Sequence, residues 1–245
     1  MNEQGPLVSV IMPAYNAAAY IAEAIESVLH QTWQPVEVIV VDDGSTDETS
    51  GAARRYVPPI RLFDQRHAGI GASRNRALKE ARGEYLAMLD ADDYWPPEKL
   101  ERQMAVLASQ PDVDFVFGAV SQFVSPELSS DEEEGRRPSA ACRPGLSSGT
   151  CLGRRTAFAH VGSFRADLKV GECVDWWARA AELGVRSVVL PEVMLYRRVH
   201  RNNTVTRERA AQSDYVRVVR EALARRRAKG AAASEAPALG KVEGA

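Results

Sequence analysis

Four short apolar runs organise the N-terminal part of the chain: LVSVIM at 7–12, VEVIVV at 36–41, IRLFD at 60–64 and EYLAML at 84–89. Each is short, rich in β-formers and apolar on both faces, the pattern of a strand covered above and below. Between them the period changes. Ile21, Ile25, Val28 and Leu29 fall on one helical face, with Asn16 suited to cap that helix. A second helix, capped by Ser45 or Thr46, is expected to reach about Tyr56, and a third to cover residues 70–82. Strands alternating with helices predict an α/β fold, a Rossmann-like three-layer sandwich with a mainly parallel central sheet.

Further along, the pattern predicts a helix from about Pro97 to Ser109, a strand at 113–118, a helix at 174–183 and a strand at 185–190. Residues 125–145, SPELSSDEEEGRRPSAACRPG, are polar and rich in Ser and Pro, which predicts a mobile loop. Residues 230–245 read as a disordered tail, leaving 1–229 as a single domain. Its halves divide near residue 100, and the second carries the loop. Residues 197–229 hold eleven Lys/Arg against three Asp/Glu. There Tyr215, Val218, Val219, Ala222 and Leu223 share a helical face, expected to dock on the protein's own core. Peripheral contact of 208–229 with an anionic membrane is the alternative.

The composition, 45% hydrophobic and 26% charged over 245 residues, is that of an ordinary globular chain. A net charge of −2 gives no global basic field, which argues against nucleic acid as a partner. The apolar runs are too short to span a bilayer, and the first residues lack the pattern of a secretion signal. Cys142, Cys151 and Cys173 have no metal-ligand spacing and cannot all pair with one another. A cytoplasmic location is therefore expected.

The chemistry gathers at the carboxyl ends of the predicted strands: Pro13 to Asn16, Asp42 to Asp47, and Asp90 to Asp93. In open parallel sheets ligands bind there, so one site is expected to use all three clusters. In DDGSTD, Asp42 and Asp43 cannot both serve as caps, and one is placed to accept hydrogen bonds from a base or ribose. Asp90 and Asp92, alternate residues on an extended segment, can address one ligand together. Mg²⁺ and Mn²⁺ favour such hard oxygen ligands, often with substrate phosphates completing the shell. The glycines at 69 and 71 lack the full phosphate-loop pattern, because position 74 is Arg; they read as a turn into the next helix. His67 beside them reads as a loop residue.

The segments VSVIMPAYN, VEVIVVDDGSTDET, GASRNRALKEARGEYLAMLDADD and VGECVDWWARAAELG, spread over roughly residues 6–204, resemble a family-2 glycosyltransferase of the GT-A fold. The resemblance implies inverting transfer of a sugar from a nucleotide diphosphate sugar, a UDP-sugar first of all, to an acceptor hydroxyl by metal-assisted single displacement. It makes residues 1–100 the nucleotide-sugar half and 101–229 the acceptor half. It places Pro13, Ala14 and Tyr15 around the base, with Asp43 hydrogen-bonded to it. Arg74 would lie near the nucleotide or its phosphates, and Asp90 near the ribose or donor sugar. Asp92 would hold Mn²⁺ or Mg²⁺, and Asp93 would orient its neighbours. His200 would assist the metal or diphosphate, unless it is a surface histidine.

The family usually shows Glu-Asp at the general base, whereas this chain has Glu172-Cys173. Glu172 is the first candidate and Asp175 the second, the latter also suited to a helix N-cap. One of Trp176 and Trp177 is expected in the core, the other on an acceptor-sugar platform. The acceptor is left open among a glycan, a lipid-linked saccharide, a peptide and a small molecule. A non-catalytic nucleotide-sugar binder and a nucleotidyltransferase are the competing readings.

Overall fold

The computed structural model describes residues 5–128, 143–201, 203 and 211–235. Strand β1 (Val8–Ala14) is buried along its whole length and lies between parallel neighbours, β2 (Val36–Asp42) and β4 (Tyr85–Met88). β3 (Arg61–Asp64) extends the sheet parallel to β2. Beyond β4, the short β7 (Leu152–Arg154) runs antiparallel to β4 and to β5 (Phe115–Val124). β6 (Arg143–Gly145) pairs antiparallel with β5, and β8 (Ser187–Val199) pairs parallel with it. The order is β3-β2-β1-β4-β7-β5-β6, with β8 branching from β5. Strand order reverses between β1 and β4, and a crevice opens above their carboxyl ends.

Alternate residues of the central strands serve opposite layers. Val8, Val10 and Met12 pack with Val38, Val40, Ile21, Ile25 and Val28 of α1 (Ile21–Leu29), and with Leu100 and Met104 of α4 (Lys99–Ser109). On that same face lies α2 (Thr49–Arg54), through Ala52 and Ala53. Ile11, Ile39 and Val41 face Ala77 of α3 (Ile70–Glu80), Phe158 of α5 (Arg155–Val161) and Trp176 of α6 (Glu172–Glu182). Helix α7 (Gln212–Glu235) lies against α6.

Several local expectations are corrected. Asn16 does not cap α1; at φ 51 its Oδ1 accepts from the Thr46 N–H at 2.8 Å, tying two loops together. Neither Ser45 nor Thr46 caps α2, whose first N–H donates to Asp47 Oδ1 at 3.0 Å. β8 continues to Val199, well past residue 190, because register shifts between Phe117 and Val120 of β5 accommodate Pro191 without ending the pairing. α7 reaches Glu235, through an alanine-rich stretch favourable to helix, where a tail was expected from residue 230. Within the expected mobile loop, residues 143–145 form β6, and 129–142 lie outside the described residues. Residues 236–245 lie outside them too.

Candidate active site

The crevice is a cleft of about 400 Å³. Its floor is the carboxyl end of β1, the Asp43 turn after β2 and the Asp90–Asp93 turn after β4. Its walls are the start of α3, the start of α6 and the residues around the end of β8. Pro13, Ala14, Tyr15, Asp43, Arg74, Asp90, Asp92, Glu172 and His200 all line it. Asp175 does not.

The DDGSTD turn braces the loop after β1. Asn16 N–H donates to Ser45 Oγ at 2.9 Å, Ala17 N–H to Thr49 Oγ1 at 2.8 Å and Ala18 N–H to Asp47 Oδ2 at 3.1 Å. Asp42 accepts from Ser45, whereas Asp43 turns into the cleft. Buried there, Asp43 accepts at Oδ1 from Gln65 Nε2 (2.7 Å) and Ala68 N–H (2.9 Å), and at Oδ2 from Gly69 N–H (2.8 Å). His67 Nδ1 meets the same Oδ2 at 2.9 Å, and its ring stacks on Tyr15 with centroids 4.4 Å apart. His67 is thus part of the site. The sequence offered no periodicity to mark it, because a loop brings it over Tyr15.

Arg74 joins two carboxylates of the cleft, Asp90 and Glu172. Fully buried, it donates from Nη2 to Asp90 Oδ1 at 2.8 Å and from Nη1 to Glu172 Oε1 and, at 3.0 Å, to Cys173 Sγ. Burial opposes its charge, but Cys173, Asp90 and Glu172 together shift its pKa upward, so it stays a cation. The Cys173 thiol is pushed up to about 12 by burial, against the pull of Arg74. It is a neutral thiol, not a nucleophile.

Burial raises the Asp90 pKa, Asp92 and Glu172 add to it, and Arg74 opposes. Asp93 is pushed well above the usual carboxylate range by burial and by Asp92 and Asp90, although it accepts from Arg198 N–H at 2.8 Å. Arg198 also donates to the Asp92 carbonyl at 3.1 Å and to Glu23, latching the end of β8 onto the acidic turn. That latch delivers His200, which is 4% exposed and so no surface histidine. Its Nε2 lies 2.9 Å from Asp92 Oδ2.

Asp92 and His200 offer a hard oxygen and an imidazole nitrogen side by side. No cluster of three or more His, Cys, Asp and Glu suited to a metal occurs among the described residues. A divalent cation could take one oxygen and one nitrogen from this pair only if a bound diphosphate or water supplied the rest of its shell.

The second candidate base is corrected by position. Asp175 sits in the first turn of α6 but faces α7, 1% exposed, paired with Arg179 at 2.8 Å and Arg225 at 3.6 Å. It is not the N-cap either, since Gly171 holds that place in the left-handed conformation. The platform expectation for the tryptophans also fails. Trp176 and Trp177 are both buried, packed edge-on against each other and against Phe115.

An aromatic slot beside Asp43, a row of carboxylates and a buried arginine gather in one cleft at the switch point of a mainly parallel sheet, in the GT-A fold. Residues 9–160 match the pattern of Glycosyl transferase family 2, and the chain belongs to that family. An uncharacterised glycosyltransferase of Rickettsia typhi is 34% identical over 211 residues, 81% of this chain and 66% of that one. The chain spans between 15% and 33% of the length of four further rickettsial relatives. Among solved structures, Staphylococcus aureus TarS 1–349 in complex with UDP is 25% identical, with a TM-score of 0.63 over 79% of this chain and 61% of its own. The mannosyltransferase PcManGT of Pyrobaculum calidifontis, in complex with GDP-Man and Mn²⁺, shares the fold: TM-score 0.62, 23% identity, 82% of this chain and 61% of its own.

Proposed function

We propose that the protein is an inverting glycosyltransferase that moves a sugar from a UDP-sugar to an acceptor hydroxyl by single displacement, with Glu172 as general base. The observation that carries this reading is the Arg74 bridge, which holds Asp90, the donor-side carboxylate, and Glu172 on one guanidinium. Tyr15 stacks the base, and Asp43 accepts from its imide N–H at the position His67 now takes. Asp90 approaches the ribose or donor sugar. Glu172 takes the acceptor proton at Oε2, the oxygen that Arg74 leaves aside, while the acceptor oxygen bonds to the anomeric carbon and the diphosphate departs. A divalent cation, Mn²⁺ or Mg²⁺, held by Asp92 and His200 would stabilise the charge on the leaving diphosphate. TarS in complex with UDP supports the choice of uracil.

Calorimetric titration of UDP with and without Mn²⁺ tests the site. Binding is expected to need the metal and to vanish in Asp92→Ala. Glu172→Gln should bind UDP as the wild type does while losing about 10²- to 10⁴-fold in turnover of UDP-sugars. UDP binding indifferent to Mn²⁺ and to Asp92 would refute the metal assignment. Unchanged turnover in Glu172→Gln would remove Glu172 as base.

A further inference from the structure

We infer that the outward face of α7 is a docking surface for an anionic lipid bilayer. The helix has two sides of different chemistry. On the inner side Val218 is fully buried. Around it, Arg225 pairs with Glu182 at 2.8 Å, Glu221 with Arg165, and Asp214 Oδ2 accepts from Lys169 N–H at 2.9 Å. Arg217 joins this set through Asp214 at 3.2 Å. Asp214 and Glu221, the acids between residues 212 and 228, are both engaged there.

The outer side carries the opposite balance. Val216, Val219 and Leu223 are 59%, 52% and 47% exposed, a stripe at helical spacing rather than scattered residues. Arg220, Arg226 and Arg227 flank them, exposed and without an ion-pair partner among the described residues. With 3.6 residues per turn, these six side chains share an arc of about 120°. It contains no acid. The face expected from sequence to dock inward is therefore split: Val218 docks, whereas Val219 and Leu223 point to solvent.

Charge decides the occupant. A second copy related by twofold symmetry would bring this arc near its own like-charged equivalent. Residues 236–245 hold one Lys and one Glu, too little to neutralise three arginines. An anionic bilayer satisfies both halves of the arc, phosphate headgroups for the guanidinium groups and acyl chains for the aliphatic stripe. The inner side of the same helix contributes Tyr215 to the cleft wall. A bilayer-bound α7 therefore sets the acceptor side of the cleft near the headgroup plane, which points to an acceptor hydroxyl carried on a membrane lipid. Only this last consequence rests on the transferase reading.

The test is sedimentation of the full chain with vesicles of phosphatidylcholine alone or mixed with phosphatidylglycerol. Binding is expected only to the anionic vesicles and should weaken as salt is raised. Each arginine near such a surface contributes about five-fold, so R220E/R226E/R227E should lose roughly 100-fold or more. V216S/V219S/L223S should also release the protein, while UDP titration of both variants stays as in the wild type. Equal binding to neutral and anionic vesicles, or variants that bind as the wild type does, would overturn the inference. So would a solution dimer that the serine variant dissolves, with no vesicle binding, because the face would then belong to a second copy. Loss of UDP binding in the wild type would count against the transferase reading alone.

Discussion

At the scale of single residues, the proposed chemistry turns on how one arginine is engaged. The family resemblance places Arg74 near the nucleotide or its phosphates, but both terminal nitrogens are engaged by Asp90, Glu172 and Cys173. The planar fork holds the two carboxylates in a fixed relative geometry that the compact, rotatable ammonium of a lysine does not reproduce. Arg74→Lys should therefore lower turnover by about 10- to 100-fold through misplacement of Glu172, with UDP affinity changed only a few-fold. Measuring both separates the roles, since an equal loss in affinity and turnover would return Arg74 to the phosphates. Asp43 and Asp92 could be singled out by their place after apolar strands. His67 and Arg198 could not, because each reaches the site from a segment distant in sequence.

At the scale of elements, placing Arg74 depends on how closely α3 approaches the 165–166 segment. A Cβ on Gly71 would stand 2.5 Å from the Arg165 carbonyl oxygen and 3.1 Å from its carbon, both backbone atoms that cannot swing away. Gly71→Ala gains up to about 1 kcal/mol of helix propensity. The clash opposes it with about 1–3 kcal/mol, and the clash is expected to win. The variant should unfold at lower denaturant and lose turnover as α3 shifts Arg74. A midpoint equal to that of the wild type would show that α3 has more room than this contact allows. β8 makes a related point. Apolar patterning located only its first residues, 187–190, but pairing with β5 carries it past Pro191 through Arg198 to Val199, next to His200.

At the scale of the whole molecule, a buried lysine ties stability to pH. Lys99 packs between α4 and the sheet, its Nζ 3.9 Å from the Trp95 ring centroid and 2.7 Å from Gln103 Oε1. Burial lowers its pKa from 10.5 to about 7, with Cys151 opposing. Between those values the unfolded chain binds more protons than the folded one, so stability rises with pH and the gain is absent below about 7. Buried Cys151 and Cys173, both raised, act in the reverse sense above their ordinary value of 9.0. Denaturant unfolding of the wild type should show the rise between about pH 7 and 9. Lys99→Met should flatten it, and an unaltered slope would exclude Lys99 as its source.

The sequence by itself determined the alternation of strands and helices, the sheet class and the three polar turns that meet above it. Those features rest on local periodicity and on chain direction, which neighbouring residues settle among themselves. Tertiary structure decided which groups share a charge. It set Glu172 on Arg74, turned Asp175 away toward Arg179 and Arg225, buried both tryptophans and left Val219 and Leu223 facing outward. Successive residues of a helix point in different directions, and only packing fixes which direction is the inside.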